Sequence, residues 1–252
     1  MAQERALPPV VARMWGREPL TRRGPRPRLD LARIVSAAIE LADTEGLAGV
    51  SMGSVAARVG VATMALYRYV GSKDELLTVM ADSAVPAPPE RGELPWRDYL
   101  ALWTRANRDF LLERPWLLSL DRMTPPVGPR RMLWLDRALD ALAGTALDEG
   151  EKVRAATALT GYALSDATLA HGMSAHGMNA EAGGPDEGGI GGAAEYGEVL
   201  AEVLDPLSYP ALSAAVHSGV FRGAEGWVED ADFVFGLNLL LDGIEALNAR
   251  RP

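Results

Sequence analysis

The chain has 252 residues, 48% of them apolar and 23% charged, which is typical of a folded protein of one large or two modest domains. It has no cysteine, which excludes disulfides, thiol chemistry and cysteine-ligated metals and is compatible with the cytoplasmic location that we expect. The net charge is −9, but residues 1–80 carry +3 and residues 81–252 carry −12, so the acidic balance belongs to the C-terminal part.

Residues 1–28 are rich in arginine and proline and cannot build a core, so we predict a flexible arm there. Two interpretations stay open for this arm. It is either a solvated tail without a role or a segment that contacts the phosphates or the minor groove of DNA. The arginines expected to make such contacts are Arg22, Arg23, Arg26 and Arg28.

The next part of the chain, residues 30–77, predicts three short helices with tight breaks between them, followed by the start of a fourth. Asp30 can cap the first helix and Ser51 the second, which ends at Gly60. The third is predicted over Thr63–Val70. Two helices joined by a few residues are typical of a helix-turn-helix, which places its second helix in the DNA major groove. Any compact three-helix domain would share this periodicity.

The fourth helix begins with Ser72-Lys73-Asp74-Glu75, a Ser-x-x-Glu capping box in which serine and glutamate each satisfy a backbone amide. The whole run VGVATMALYRYVGSKDELL closely resembles the helix-turn-helix of the tetracycline-repressor (TetR) family of bacterial transcriptional regulators. Near the other end, FVFGLNLLLDGIEAL (residues 233–247) resembles the last helix of the effector-binding domain of tetracycline repressor.

The resemblance covers residues from about 29 to 247 and is strongest at the two ends. It implies an all-α fold of about nine or ten helices. A three-helix helix-turn-helix DNA-binding domain is expected over residues 29–76, followed by a larger helical effector-binding and dimerisation domain over residues 77–252. No β-type alternation is present in the sequence.

The same resemblance implies roles for individual residues of the DNA-binding domain. Thr63 and Met64 occupy base-reading positions, with Ala65 and Arg68 close by. Positions that hold phosphates are matched by Tyr67, Tyr69 and Lys73, although we expect one of the two tyrosines to pack in the core. Ser51, at the start of the second helix, completes the expected DNA-binding set.

One position departs from the family. In tetracycline repressor an arginine of the second helix reads a base, and the matching residue here is Gly53. The operator is therefore expected to differ from that of tetracycline repressor. Arg68 is then expected to supply the missing contact, because arginine pairs well with guanine.

Beyond residue 84 the sequence predicts further helices, the longest of them capped by Asp148. Residues 178–192 are rich in glycine and predict a disordered loop, which lacks the strand and lysine of a phosphate-binding loop. The long helix and the last helix are the expected dimer surface, since the apolar residues of the last helix surround more than one face. A monomer that fills both faces internally is the alternative.

Aromatic and methionine side chains are concentrated between residues 80 and 162, as in the wall of a small-molecule pocket, although the same residues also describe an ordinary core. By position, Trp103, Asn107 and the neighbourhood of Asp121 match effector contacts of tetracycline repressor. Residues 72–170 contain no histidine, so we expect a bulky, largely apolar effector rather than a magnesium-bound tetracycline. The expected effector residues are Met80, Trp103, Asn107, Phe110, Trp116, Leu117, Leu120, Asp121, Met123, Trp134 and Tyr162.

These observations predict a homodimeric repressor that leaves a palindromic operator when a small effector binds. No cofactor, metal or membrane partner is expected. The alternative is a helical enzyme, or a protein that binds and sequesters a ligand without acting on DNA. Against an enzyme, the sequence shows no Ser/His/Asp set, no paired carboxylates on an apolar face and no metal-ligand spacing.

Overall fold

In the computed structural model, residues 7–17, 29–120, 127–181, 193–220 and 229–251 are described, and within them every regular element is a helix. They divide into two compact units, Met1–Gly144 and Thr145–Pro252. The helices are α1 (Pro9–Met14), α2 (Leu31–Glu45), α3 (Met52–Val59), α4 (Thr63–Leu66), α5 (Lys73–Ser83), α6 (Trp96–Glu113), α7 (Pro129–Ala141), α8 (Glu149–Glu181), α9 (Ala193–Val203), α10 (Pro210–His217) and α11 (Glu229–Ala249). The all-α prediction is confirmed, with eleven α-helices in these ranges rather than nine or ten.

The predicted caps at Asp30 and Ser51 and the predicted break at Gly60 are present. Asp30 accepts a hydrogen bond from the Arg33 amide at 2.8 Å and begins α2. Ser51 accepts one from the Ser54 amide at 3.0 Å and begins α3, which ends at Gly60 in the left-handed conformation, with a φ of 76°. Glycine adopts this conformation without the steric cost that a Cβ would add, so the chain turns sharply into α4.

The short helix α4 is held in place by two fully buried side chains. Leu66 and Val70 are both 0% exposed and anchor the segment to the core of the first unit. The predicted third helix, Thr63–Val70, is shorter than expected, since α4 ends at Leu66. Beyond it the backbone tightens, and the Arg68 and Tyr69 amides bond to carbonyls three residues back, as in a 3₁₀ turn.

In the first unit, one buried carboxylate connects α5 to α7. The buried carboxylate of Asp82, near the end of α5, accepts hydrogen bonds from the amides of Arg130 and Arg131 at 3.2 and 3.0 Å. These amides belong to the first turn of α7, where amides have no partner within the helix. Arg130 also donates through Nη1 to the Val85 carbonyl at 2.8 Å. Asp82 thus joins α5 to α7.

The second unit is built around the pair α8 and α11. Asp148 and Glu151 cap α8 reciprocally, each side chain accepting the amide of the other at 2.8 and 2.9 Å. One face of α11 is buried, through Phe233, Leu237, Leu241 and Ile244. Tyr162 of α8 stacks on Phe233 with ring centroids 5.4 Å apart, and its hydroxyl donates to the Phe233 carbonyl at 2.9 Å.

The described helices differ from the expected chain organisation at four places. Part of the predicted flexible arm is the helix α1, which packs against α5. The predicted loop over residues 178–192 begins too early, because α8 continues to Glu181, and the remainder lies outside the described residues. The helix α10 was not indicated by the sequence. The expected domain boundary after residue 76 falls within α5, inside the first unit.

Candidate DNA-reading and effector sites

Seven of the residues that the sequence assigned to DNA lie on one short surface segment from Thr63 to Lys73. Thr63, Arg68 and Lys73 are exposed, and Met64 and Tyr67 are exposed by 74% and 44%. Ala65 and Tyr69 are half-buried. A methionine that is three-quarters exposed beside a buried leucine is not part of the core, so this segment presents an apolar and cationic surface that is available to a partner.

Lys73 lies in the first turn of α5, next to an unusual cap. The hydroxyl of Ser72 accepts the Glu75 amide at 3.1 Å, as the capping box predicted. The carboxylate of Glu75, however, accepts the amide of Gly71 at 2.7 Å, one residue earlier than in the standard box. The turn from Val70 to Lys73 is therefore closed by Glu75.

The predicted DNA contact Ser51 and the departing position Gly53 lie at the start of α3. The hydroxyl of Ser51 lies 2.9 Å from that of Ser54 and accepts the Ser54 amide, so it serves the cap of α3 while its side chain stays exposed. At Gly53 a built Cβ would meet nothing closer than the Ser51 hydroxyl at 3.8 Å. The position that carries a reading arginine in tetracycline repressor is thus open surface in this chain.

Four predicted DNA contacts and two predicted effector contacts lie outside the described residues. They are Arg22, Arg23, Arg26 and Arg28 in the arm, and Asp121 and Met123 between α6 and α7.

Three of the predicted effector residues of the first unit, Trp103, Phe110 and Trp134, form a buried aromatic cluster. Trp134 lies 5.6 Å from Trp103 and 5.5 Å from Phe110, measured between ring centroids. The indole of Trp103 donates to the Trp134 carbonyl at 3.1 Å, and that of Trp134 donates to the Pro86 carbonyl at 2.8 Å. These rings therefore form a packed cluster whose indole N–H groups are satisfied within the first unit.

The remaining effector residues are less uniform. Met80, Leu117 and Asn107 are buried, and Leu120 is half-buried. Trp116 is buried at the side of α2, where its indole donates to Asp43 Oδ1 at 2.7 Å. Tyr162 belongs to the second unit, where its ring and hydroxyl both engage Phe233.

Two open clefts lie in the described part of the first unit. One of about 500 Å³ is bordered by Trp116, Arg114 and Asp43, and one of about 700 Å³ lies along α2 between Arg13 and Arg130. Of the predicted effector residues that are described, Trp116 borders the smaller cleft and none borders the larger.

Sequence reasoning missed two polar residues beside the aromatic cluster, Thr104 and Arg108 of α6, which are 0% and 3% exposed. The hydroxyl of Thr104 donates to the Leu100 carbonyl in its own helix at 2.7 Å. Their positions, three residues before Asn107 and one after it, could have indicated a polar strip on the buried side of α6.

Within the described residues there is neither a candidate metal site nor a candidate membrane span. The described residues contain no group of three or more His, Asp or Glu that could hold a metal ion. Over the same ranges, no helix combines the length and apolarity needed to cross a bilayer.

Comparisons with known proteins agree with this arrangement. Residues 34–80 match the family model of bacterial regulatory proteins of the tetR family, and residues 87–248 match the tetracyclin repressor-like C-terminal domain. The HTH-type transcriptional repressor DrrR1 of Streptomyces coeruleorubidus is 35% identical over 94% of this chain and 85% of its own length.

Two solved structures from Streptomyces coelicolor share the fold. The TetR family protein ActR in complex with (S)-DNPA has a TM-score of 0.70 at 22% identity, covering 87% of this chain and 98% of that one. The transcriptional regulator SCO7222 has a TM-score of 0.64 at 26% identity, covering 87% and 99%. The chain therefore belongs to the tetR family of bacterial regulatory proteins and is a DNA-binding transcriptional regulator rather than an enzyme.

Proposed function

We propose that the chain is a repressor that binds a palindromic operator as a homodimer and leaves it when a bulky, largely apolar effector binds. The observation that carries this proposal is the exposed segment Thr63–Lys73, anchored by buried Leu66 and Val70 directly after the turn at Gly60. A short, rigidly held helix with exposed side chains is what reading of the major groove requires.

In this proposal the residues divide into base contacts and phosphate contacts. Thr63 and Met64 touch base edges, with Ala65 close to them, and Arg68 reads a guanine in place of the second-helix arginine that Gly53 replaces. Tyr67, Tyr69 and Lys73 hold phosphates, and Ser51 adds a contact from the start of α3. Arg22, Arg23, Arg26 and Arg28 extend these contacts along the duplex, through phosphates or the minor groove.

The homodimer is supported by the second unit. On α11, Phe235 and Leu239 remain 69% and 59% exposed, on the side away from the buried Phe233 and Leu237. On α8, Leu169 is 55% exposed, and at Gly161 a Cβ would meet nothing within 4 Å. Large apolar side chains on two adjacent helices favour burial against a second copy, which also supplies the second reading helix that a palindrome needs.

The effector is supported by the aromatic cluster around Trp134 and by the polar strip Thr104, Asn107 and Arg108. An apolar wall with a few polar groups suits a large, mainly apolar compound. The ActR structure, which shares the fold, is a complex with (S)-DNPA. Met80, Phe110, Trp116, Leu117 and Leu120 are the further wall residues in this proposal. Tyr162 is left out, because its ring stacks on Phe233 and its hydroxyl donates to the Phe233 carbonyl.

The proposal is tested by selection of duplexes from a random-sequence pool with the full-length protein. We expect the selected sequences to contain two inverted half-sites whose centres lie about 34–36 Å apart, or a multiple of that spacing. Selection of a single asymmetric half-site would contradict the dimer. A protein that retains no duplex at 50 mM salt would contradict operator binding and favour a ligand-sequestering protein.

Effector release is tested separately with the selected duplex. A panel of bulky, largely apolar compounds is screened for the ability to raise the dissociation constant of the complex. Because an effector shifts the equilibrium by its differential affinity for the two states, we expect an increase of about 5- to 150-fold. An operator affinity that no compound changes would contradict the proposed release.

A further inference from the structure

The helix α1 lies in a segment whose composition predicted a flexible arm, yet it is attached at two places. Arg13 Nη1 donates to Glu75 Oε2 at 2.9 Å, and both side chains are about three-quarters buried, with relative exposures of 20% and 26%. The indole of the next residue but one, Trp15, donates to the Val127 carbonyl at 2.7 Å. Glu75 lies in the first turn of α5, and Val127 lies just before α7.

The oxygen that accepts Arg13 is the same one that closes the DNA-facing turn. Glu75 Oε2 also accepts the amide of Gly71 at 2.7 Å. Gly71 follows Val70, which is fully buried, and precedes Lys73, which is exposed. A chain of hydrogen bonds therefore runs from Arg13 through Glu75 to the backbone of the turn that carries Lys73.

The attachment before α7 is tight as well. A Cβ built at Gly128 would come within 2.5 Å of the Met14 Cε atom and within 2.2 Å of the Asp82 carboxylate. The end of α1 thus lies against the residue at which α7 begins. Since Asp82 also caps α7, α1 joins the same two helices that Asp82 joins, with Arg13 at the start of α5 and Met14 beside Gly128.

We propose that α1 is a positioning element for operator binding, in which Arg13 acts through Glu75 to hold the turn Gly71–Lys73 in the geometry that grips a phosphate. Arg13 does not touch DNA in this role. An ion pair that is largely shielded from water holds its geometry better than an exposed one, and charge-assisted hydrogen bonds are about twice as strong as neutral ones. This inference rests on the proposed operator binding. It gives α1, which precedes the helix-turn-helix, a role in that binding.

The test is a double-mutant cycle on the dissociation constant of the selected duplex. The variants are Arg13→Ala, Glu75→Gln and the double variant, and glutamine keeps an oxygen that can accept the Gly71 amide. We expect each single variant to weaken binding about fivefold and the double variant to be no weaker than either, because both break one path. Multiplying effects would mean that Arg13 contacts DNA itself, which would overturn the proposal.

Arg17→Ala is the matched control, because Arg17 is exposed in the same segment and its loss removes the same charge. We expect it to weaken binding less than Arg13→Ala does, and Arg13→Lys to recover part of the loss. Equal effects of Arg13→Ala and Arg17→Ala would reduce the role of Arg13 to net charge and overturn the proposal. All dissociation constants are measured at a temperature at which thermal melts show each variant to be folded. If Arg13→Ala binds the duplex as tightly as the unmodified protein at that temperature, the proposal is overturned.

Hydrogen exchange of the free protein separates this inference from operator binding. The Gly71 amide is protected by its bond to Glu75, so we expect Arg13→Ala to speed the exchange of residues 71–75 about fivefold and Arg17→Ala to leave it unchanged. Trp15→Phe, which removes the bond to Val127, is expected to act in the same direction as Arg13→Ala. Unchanged exchange in both variants would overturn the positioning role even if the protein binds its operator. Faster exchange in a protein that binds no duplex would instead count against the proposed function alone.

Discussion

The carboxylate of Asp82 and the backbone of Gly128 are in such close contact that no side chain fits between them. A Cβ at residue 128 would lie 2.1 Å from the Asp82 Cγ atom. The backbone at Gly128 is itself ordinary, with a φ of −83°, so the need for glycine here is one of space and not of backbone conformation. Asp82 cannot withdraw without giving up the amides of Arg130 and Arg131.

The first prediction follows from this contact. Gly128→Ala is expected to lower the free energy of unfolding by about 1–3 kcal/mol, the usual cost of overpacking, measured by urea denaturation. Gly144→Ala is the control, because a Cβ there meets nothing within 4 Å, and we expect it to change stability little. Equal stability of the two variants would show that α5 and α7 are not held together as the contact indicates.

The contrast between α3 and α1 shows what could be predicted from the sequence. The caps at Asp30, Ser51 and Asp148 were predicted because each bond joins residues three positions apart. The structure of α1 depends on Arg13–Glu75 and Trp15–Val127, which are 62 and 112 residues apart, and no local pattern indicates such pairs. Composition alone indicated an arm.

The same reason decides which features of the candidate sites the sequence could indicate. The surface of α4 could be predicted, because the alternation of exposed and buried residues in Thr63–Val70 is local and matches a family pattern. In the aromatic cluster, the concentration of aromatic residues indicated a pocket wall or an ordinary core but could not show that Trp134 contacts both Trp103 and Phe110. Buried Arg108 was missed because charged residues are rarely placed in a core.

The second prediction distinguishes the two kinds of DNA contact. Arg68→Ala is expected to lose preference at one base pair, by about 1–3 kcal/mol, and to bind other sequences almost as before. Lys73→Ala is expected to weaken binding to all sequences alike and to reduce the slope of log K against log salt by about 1, because one phosphate contact is lost. Both are measured by titration of the selected duplex and of single-base variants at several salt concentrations.

The outcome for Arg68 is decisive for its assignment. A uniform loss of affinity across all sequences would identify Arg68 as a phosphate contact. The base contact that Gly53 cannot make would then not be supplied by Arg68. A pair of Arg68→Ala and Arg58→Ala makes the comparison sharper, because Arg58 is exposed on α3 but engaged with Glu40 at 3.3 Å. We expect Arg58→Ala to leave base preference unchanged.

The third prediction concerns acid stability of the second unit. A hydrogen bond from Arg251 holds the pKa of Glu151 below its usual range. A carboxylate with a lowered pKa in the folded state adds stability above its unfolded pKa of about 4.3, and this stability is lost as the pH falls through the folded pKa. Arg251→Ala should therefore destabilise the protein at pH 7, and the difference from the unmodified chain should narrow below about pH 4.

Urea denaturation at a series of pH values measures this effect, with Arg250→Ala as the control, since Arg250 is exposed and one residue away. High salt should reduce the effect of Arg251→Ala, because the arginine side chain is nearly half exposed. A difference that stays constant from pH 7 to pH 3.5 would show that Arg251 stabilises α11 by packing rather than by charge.

The fourth prediction tests whether the exposed face of α11 is a dimer surface. Phe235→Glu with Leu239→Glu places two like charges where the dimer would exclude water, so sedimentation should show a monomer at micromolar concentration. The buried face, with Phe233 and Leu237, is untouched, so each monomer should keep its helical content. Binding to a full palindrome should fall sharply while binding to a single half-site stays weak and unchanged, because the dimer supplies the second reading helix.

Val203→Glu is the control, as an equally exposed apolar residue on α9. If the double variant is still a dimer, the interface lies elsewhere. If the unmodified protein is already a monomer, these side chains stay exposed in solution.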